Sequence, residues 1–439
     1  MTEIGLAVLV AVSGVGVLAP LHRRLPVWAL VSLAFPAGAG IYLVAGLALL
    51  LVLGTVEVEI ALALTVAGGV AGTVFAWVRR QLGLESLIIL GAVAAGTAMV
   101  AAIAWTQHLT RLTPDSIRYL LVSYDIRLPS GLAEIPPDDI LKRQIGLPIL
   151  QTLAELGPRR YASFLSPMFG SSAFGFFAWF AWSRLRSLTP RLRWSLVGAA
   201  TLFLLSTNRL VYHTFYINTH IEVALLLLVA IAGIWLALAE DEPAWATIAG
   251  WALALSLLFR PEAPLVVALI LVPFAAAGAP MGLRWRVAAP VLAVFAAWYL
   301  GGLWIHAPGE WDRGPVPPVL GNSVALVAAL GLLLAAGTDR ASRLARLADR
   351  ALLPAMLLGL AVFVLLDPPV FEQTLYAMRR NLLPDLSLRF SVGAGGVWLF
   401  TWPFLAGLVA VSWVVLRRRN SRLWRVPILG FFVLLLLLP

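Results

Sequence analysis

The chain has 439 residues, 61% of them hydrophobic and only 12% charged, with a mean hydropathy of +0.92. A soluble globular chain carries about 25% charged residues, so too little polar surface remains to face water, and an ordinary water-soluble domain is excluded. The net charge of +10 does not argue for nucleic acid here, because membrane proteins gather basic residues on their cytoplasmic side. The absence of cysteine excludes disulfides, thiolate metal sites and cysteine nucleophiles.

Apolar runs of about 17 to 23 residues match a hydrocarbon core of roughly 30 Å. A backbone there has no hydrogen-bond partner outside its own helix, and the runs do not alternate as barrel strands do. The expected fold is therefore all-α, a polytopic integral membrane protein of about fourteen transmembrane helices with a long external loop.

In chain order, Met1-Thr2-Glu3 carries no basic run, so no cleavable signal peptide is expected. Four apolar segments follow, at 4–20, 27–53, 60–78 and 86–106, making an N-terminal transmembrane region over 1–106. The stretch 107–165 is the longest connection, with nine Pro or Gly residues and charges of both signs. It reads as an ordered cap with one or two helices along the membrane surface, 139–156 being the better candidate; loops this long tend to carry function. The remainder, 166–439, reads as a bundle with segments at 166–183, 194–207, 221–239, 244–259, 263–280, 287–305, 322–337, 351–366, 394–416 and 426–439. Polar external stretches interrupt it at 208–222, 306–321 and 367–393. The chain stops at Pro439 as the last segment would emerge, so no external soluble domain is expected.

Arginine placement sets the expected orientation. Of the basic residues only Lys142 is a lysine; with abundant Ala, Gly and Leu, that bias is associated with GC-rich bacterial genomes. With the N-terminus outside, the cytoplasmic connections hold 19 basic and six acidic residues, a net +13, leaving 13 basic and 16 acidic residues outside, a net −3. Short loops dominate this rule, and six of the seven cytoplasmic connections carry at least two arginines. The exception is the acidic turn Glu240-Asp241-Glu242-Pro243.

No phosphate-binding glycine loop, His-Glu-x-x-His zinc pair or arginine ladder is present. The glycines of Ser391-Val392-Gly393-Ala394-Gly395-Gly396 suit helix packing or a helix start. Helix centres are almost free of ionisable residues, which ion-coupled transporters normally place at mid-membrane. The polar residues gather instead on the external side, with His108, His213, His220 and His306. The cap opens on Thr113-Pro114-Asp115-Ser116-Ile117-Arg118-Tyr119, soon after the fourth span, which holds Asp115 near the outer face. Arg143-Gln144-Ile145-Gly146-Leu147-Pro148 and Phe259-Arg260-Pro261-Glu262 follow downstream.

In this order and sidedness the chain resembles the GT-C superfamily of membrane glycosyltransferases, over about residues 100–300. Those enzymes place an Asp at the start of a large external loop, commonly with an aromatic a few residues on. Many also carry an acid at the outer end of a middle helix, here Glu222, and an Arg-x-Glu turn, here Arg260 and Glu262. The family usually reaches its catalytic loop after one span rather than four. Its paired loop acid has only a loosely spaced counterpart in Asp138-Asp139.

The resemblance implies sugar transfer from a polyprenyl-phosphate donor to an acceptor on the outer face of a bacterial cytoplasmic membrane. Asp115 would be the catalytic base. His108, His220, Glu222, Arg260 and Glu262 would bind substrate, and Arg379, Arg380 and Arg389 would hold the lipid phosphate. The metal requirement is left open, with a divalent cation as one option; the acceptor and oligomeric state are also open. Structural readings stand beside these roles. Asp115 after Thr113-Pro114 suits a helix cap or first-turn acid, Glu222 and Arg260 suit a structural ion pair with each other or with Glu262, and the external arginines suit headgroup anchors. Asp138-Asp139 also reads as a solvated loop charge. The rival functions are a lipid-linked substrate transporter or flippase and a non-catalytic membrane scaffold.

Overall fold

The computed structural model describes residues 1–21, 23–107, 112–129, 131–206, 213–303 and 316–366, and every regular element among them is helical. The helices are α1 (Glu3–Leu18), α2 (Val27–Leu53), α3 (Val58–Val78), α4 (Leu84–Thr106), α5 (Pro114–Asp125), α6 (Pro137–Arg143), α7 (Gly146–Gln151), α8 (Leu165–Arg184) and α9 (Pro190–Ser206). They continue as α10 (His220–Glu240), α11 (Pro243–Ser256), α12 (Ala263–Ala276), α13 (Met281–Phe295, extended by a wide turn over Ala296–Gly302), α14 (Val316–Ala335) and α15 (Asp339–Leu366). Among the described residues, six helical stretches are long and apolar enough to cross a membrane: α1 to α4, α10, and α13 with its extension. The protein is thus an α-helical, membrane-embedded bundle.

Each of the first twelve apolar segments overlaps one of these helices over its described residues, and 394–416 and 426–439 lie outside the described residues. Not every segment has spanning length. α11 and α12 have 14 residues each, about 21 Å at 1.5 Å per residue.

Close approach of small residues holds the N-terminal helices together. A Cβ on Gly14 would lie 1.8 Å from the Ala34 carbonyl oxygen, one on Gly38 1.9 Å from that of Val10, and one on Gly16 2.2 Å from that of Gly69. In lipid the gain from association is mainly van der Waals packing, which such contacts maximise. α1 lies against α2, α3 and α4, α2 against α8, α8 against α10, α10 against α11, and α11 against α13.

The connections sort to two ends. At one, Arg23 donates to the Arg80 carbonyl at 2.6 Å, Arg24 lies 3.6 Å from Glu242, and Arg184 pairs with Glu240 at 2.6 Å. The acidic turn that broke the charge pattern therefore lies among arginines and is answered by two of them. At the other end sits the cap. The Met1 amine donates to the Leu156 carbonyl at 2.8 Å, Ser163 donates to Glu3, and Val56 N–H to the Ile126 carbonyl at 2.8 Å.

Helix α2 spans 27 residues, about 40 Å, and so outruns a core of roughly 30 Å. The cap wraps its far end. Ile149 fills the space beside Gly46, and the hydroxyls of Tyr42 and Thr152 lie 2.6 Å apart, buried. This corrects the expectation of a surface helix over 139–156. The segment breaks at Gln144, whose φ is +56°, and all of Gly146–Gln151 is buried. Gly146 makes this possible, because its N–H reaches the Leu258 carbonyl at 2.6 Å where a Cβ would sit 2.7 Å from that oxygen.

Candidate functional site

The site begins with the cap on α5. Thr113 takes extended backbone, and its hydroxyl accepts from the Ser116 N–H while the Ser116 hydroxyl accepts from the Thr113 N–H. Pro114 fills the first helical position, where a missing N–H costs nothing. The cap is thus Thr113, and Asp115 is a first-turn acid. The same two residues tie α5 to the segment leading into α10. The Thr113 and Tyr216 hydroxyls lie 2.6 Å apart, and buried Ser116 donates to the Ile217 carbonyl at 2.9 Å.

That staple places Asp115 on the rim, its side chain 64% exposed, with Arg143 Nη2 at 3.6 Å. Arg143 itself is only 13% exposed and also donates to Asp139 at 2.6 Å, one helical turn back on α6; Arg118 reaches the same Asp139 oxygen at 3.1 Å. Asp139 is therefore occupied by two guanidinium groups rather than paired with Asp115, and nothing is described of the Asp138 side chain.

One turn after Asp115, Tyr119 is buried and hydrogen-bonded with Thr219. Burial pushes its phenol above the usual range, against the opposing pull of Arg260 and Arg143, while Asp115 adds to the rise. Tyr119 therefore lies within electrostatic reach of the α5 rim and of the 257–262 turn. Arg260 on that turn also lies within reach of His220, whose ring centroid is 4.4 Å from that of His213. Arg260 pairs with Glu262 at 3.4 Å, and the turn is fixed by Tyr299 donating to the Leu257 carbonyl at 3.1 Å and by Asn322 donating to that of Pro261 at 3.2 Å. Below it, Trp298 donates to Gln144 at 2.7 Å, locking the cap to α13.

The structure thus gathers Asp115, His220, Arg260 and Glu262 at the cap end, linked through Tyr119, Thr219 and Arg143. Glu222 is set apart from that rim. It is wholly buried in the first turn of α10 and accepts from Ser166 of α8 at 3.1 Å, its second oxygen without a hydrogen-bond partner among the described residues. His108, Arg379, Arg380 and Arg389 lie outside the described residues.

Comparison with known protein families, curated proteins and solved structures finds no match.

Sequence reasoning assigned no role to Arg143, Tyr119 or Thr219. Tyr119 follows Asp115 by four residues and Arg143 follows Asp139 by four, so each pair shares a helix face, a signal available in the sequence once the helices are drawn. Among the described residues no group of three or more His, Asp and Glu side chains is arranged to hold a metal ion.

Proposed function

We propose that the protein is a membrane glycosyltransferase of the GT-C kind, transferring a sugar from a polyprenyl-phosphate donor to an acceptor hydroxyl at the cap end. The observation that carries this reading is the convergence of a reachable carboxylate, Asp115, with the guanidinium groups of Arg143 and Arg260. The carboxylate stands on the first turn of the helix that follows the fourth span, at the end where α10 begins and the 257–262 turn lies.

In this proposal Asp115 accepts the proton of the acceptor hydroxyl as its oxygen bonds to the anomeric carbon. The bond from that carbon to the phosphate oxygen breaks, and its electron pair leaves with the polyprenyl phosphate. Fixed cations are worth most where such charge develops. Arg260 would take that role, and Arg379, Arg380 and Arg389 are proposed to join it. Arg143, shared between Asp115 and Asp139, orients the base. His220 and Glu262 would meet sugar hydroxyls. Enclosed Glu222 would act from behind them by positioning Ser166 and the start of α10, rather than by touching sugar.

The arginine-rich end faces the cytoplasm in this reading and the cap faces outward, in keeping with the positive-inside rule. The test is direct. Purified protein in lipid is incubated with a panel of labelled polyprenyl-phosphate sugars, and transfer to an acceptor or slow release to water is expected. Protein that instead moved intact donor across the bilayer, with no bond cleaved, would fit the flippase alternative and contradict this one.

A further inference from the structure

At the end opposite the cap, α8 and α9 form a hairpin whose turn carries tryptophan and arginine together. Trp182 and Trp194 have ring centroids 4.1 Å apart, and Trp28 at the start of α2 joins them at 5.5 Å from Trp194 and 6.3 Å from Trp182. Trp28 and Trp194 nevertheless remain 45% and 51% exposed. The Arg193 guanidinium lies 3.7 Å from the centroid of the Trp182 ring, and its Nε–H donates to the Trp182 carbonyl at 2.7 Å. Arg186 lies close enough to act on Arg193 electrostatically. Neither arginine has an acidic partner among the described residues, whereas neighbouring Arg184 and Arg24 are answered by Glu240 and Glu242.

Two like charges left uncompensated beside an aromatic platform make a site with an unmet need for an anion. The guanidinium of Arg193 is fixed by its stack and its one carbonyl bond, leaving its Nη donors for that anion. Guanidinium geometry suits phosphate oxygens, and tryptophan rings favour the headgroup level of a bilayer. Farther along α9 than Trp194, Leu196 and Leu202 are exposed and supply the apolar part. Phosphate, interfacial ring and acyl surface follow one another along this helix, in the order that a phospholipid presents them.

We infer that the Trp28–Trp182–Trp194 platform with Arg186 and Arg193 is a binding site for the headgroup of an anionic phospholipid, its chains lying along α9. This site stands on its own geometry and is independent of the glycosyltransferase reading at the other end.

The test uses the full chain in detergent, titrated with phosphatidylglycerol carrying brominated chains, which quench nearby tryptophan fluorescence. Brominated phosphatidylcholine serves as the neutral control. Wild type is expected to be quenched at far lower phosphatidylglycerol than phosphatidylcholine. A headgroup-level arginine is worth about a fivefold factor in lipid affinity, so R186A/R193A should need roughly thirtyfold more phosphatidylglycerol. R340A/R343A, which removes two exposed charges from α15, should titrate like wild type. Equal quenching by both lipids on wild type would overturn the proposal without any variant. So would an equal loss in the α15 control, which would mean diffuse surface charge. Release of the quenching by excess inorganic phosphate would also overturn it, because the site would then hold a free anion rather than a lipid.

Discussion

Replacing Gly14 by alanine tests the packing of the N-terminal bundle. The added methyl would lie 1.8 Å from the Ala34 carbonyl oxygen, 2.6 Å from the Gly38 nitrogen and 2.8 Å from the Ala34 carbonyl carbon. All three are backbone atoms, so no side-chain rotation relieves the clash. Ordinary contact needs about 3.4 Å or more, so α1 and α2 must separate by well over an ångström. Separation also disturbs the neighbouring crossing, where Gly38 meets the Val10 carbonyl. Overpacking of this kind typically costs about 1–3 kcal/mol, and with backbone on both sides the upper end, about 3 kcal/mol, is expected. Gly96 on α4 is the control, because a Cβ there meets nothing within 4 Å. Alanine at Gly96 should gain up to about 1 kcal/mol from helix propensity. Thermal and denaturant unfolding of both variants in the same detergent would measure the difference. Equal stability of Gly14→Ala and Gly96→Ala would refute the close α1–α2 crossing.

Three further outcomes follow from individual contacts. Tyr42→Phe removes the buried hydroxyl pair with Thr152, but Thr152 still donates to the Ile149 carbonyl at 2.7 Å; the loss should be about 1 kcal/mol, seen as a lower melting temperature, and no shift would mean the pair contributes nothing. Gln144→Leu strands the buried Trp298 N–H, which should cost about 1–3 kcal/mol and speed proteolysis within 107–165; a variant as stable and protected as wild type would contradict the locking of cap to α13. Accessibility tags at 131–136 and 340–350 should report opposite sides of the membrane, the first outside and the second cytoplasmic, whereas tags on the same side would end the proposed topology.

Much of the architecture was legible because lipid imposes simple rules. Apolar run length placed the first twelve helical segments, and arginine spacing separated the two ends that the contacts of Arg23, Arg24 and Arg184 display. Long-range contacts were not legible. The burial of Gly146–Gln151 depends on a break at Gln144 and on the Leu258 carbonyl, more than a hundred residues away. The site was legible in part for the same reason. Asp115, Arg260 and Glu262 declare themselves as polar residues at helix ends. The links through Thr219 and Tyr216 arise only when the 213–219 segment folds onto α5. Glu222 shows the converse, since position at a helix end does not reveal which neighbour a side chain faces, and here it faces Ser166.

The proton acceptance proposed for Asp115 during sugar transfer is put to trial by Asp115→Asn in the lipid-reconstituted protein. Thr113 caps α5 and Asp115 is largely exposed, so the substitution loses only a solvent-screened first-turn dipole interaction and a weak ion pair, together about 0.3 kcal/mol. Melting temperature should therefore hardly move, while transfer from the polyprenyl-phosphate donor falls by at least about a hundredfold, the low end for a positioned acid–base group. Transfer at the wild-type rate by a well-folded Asp115→Asn protein would contradict the account.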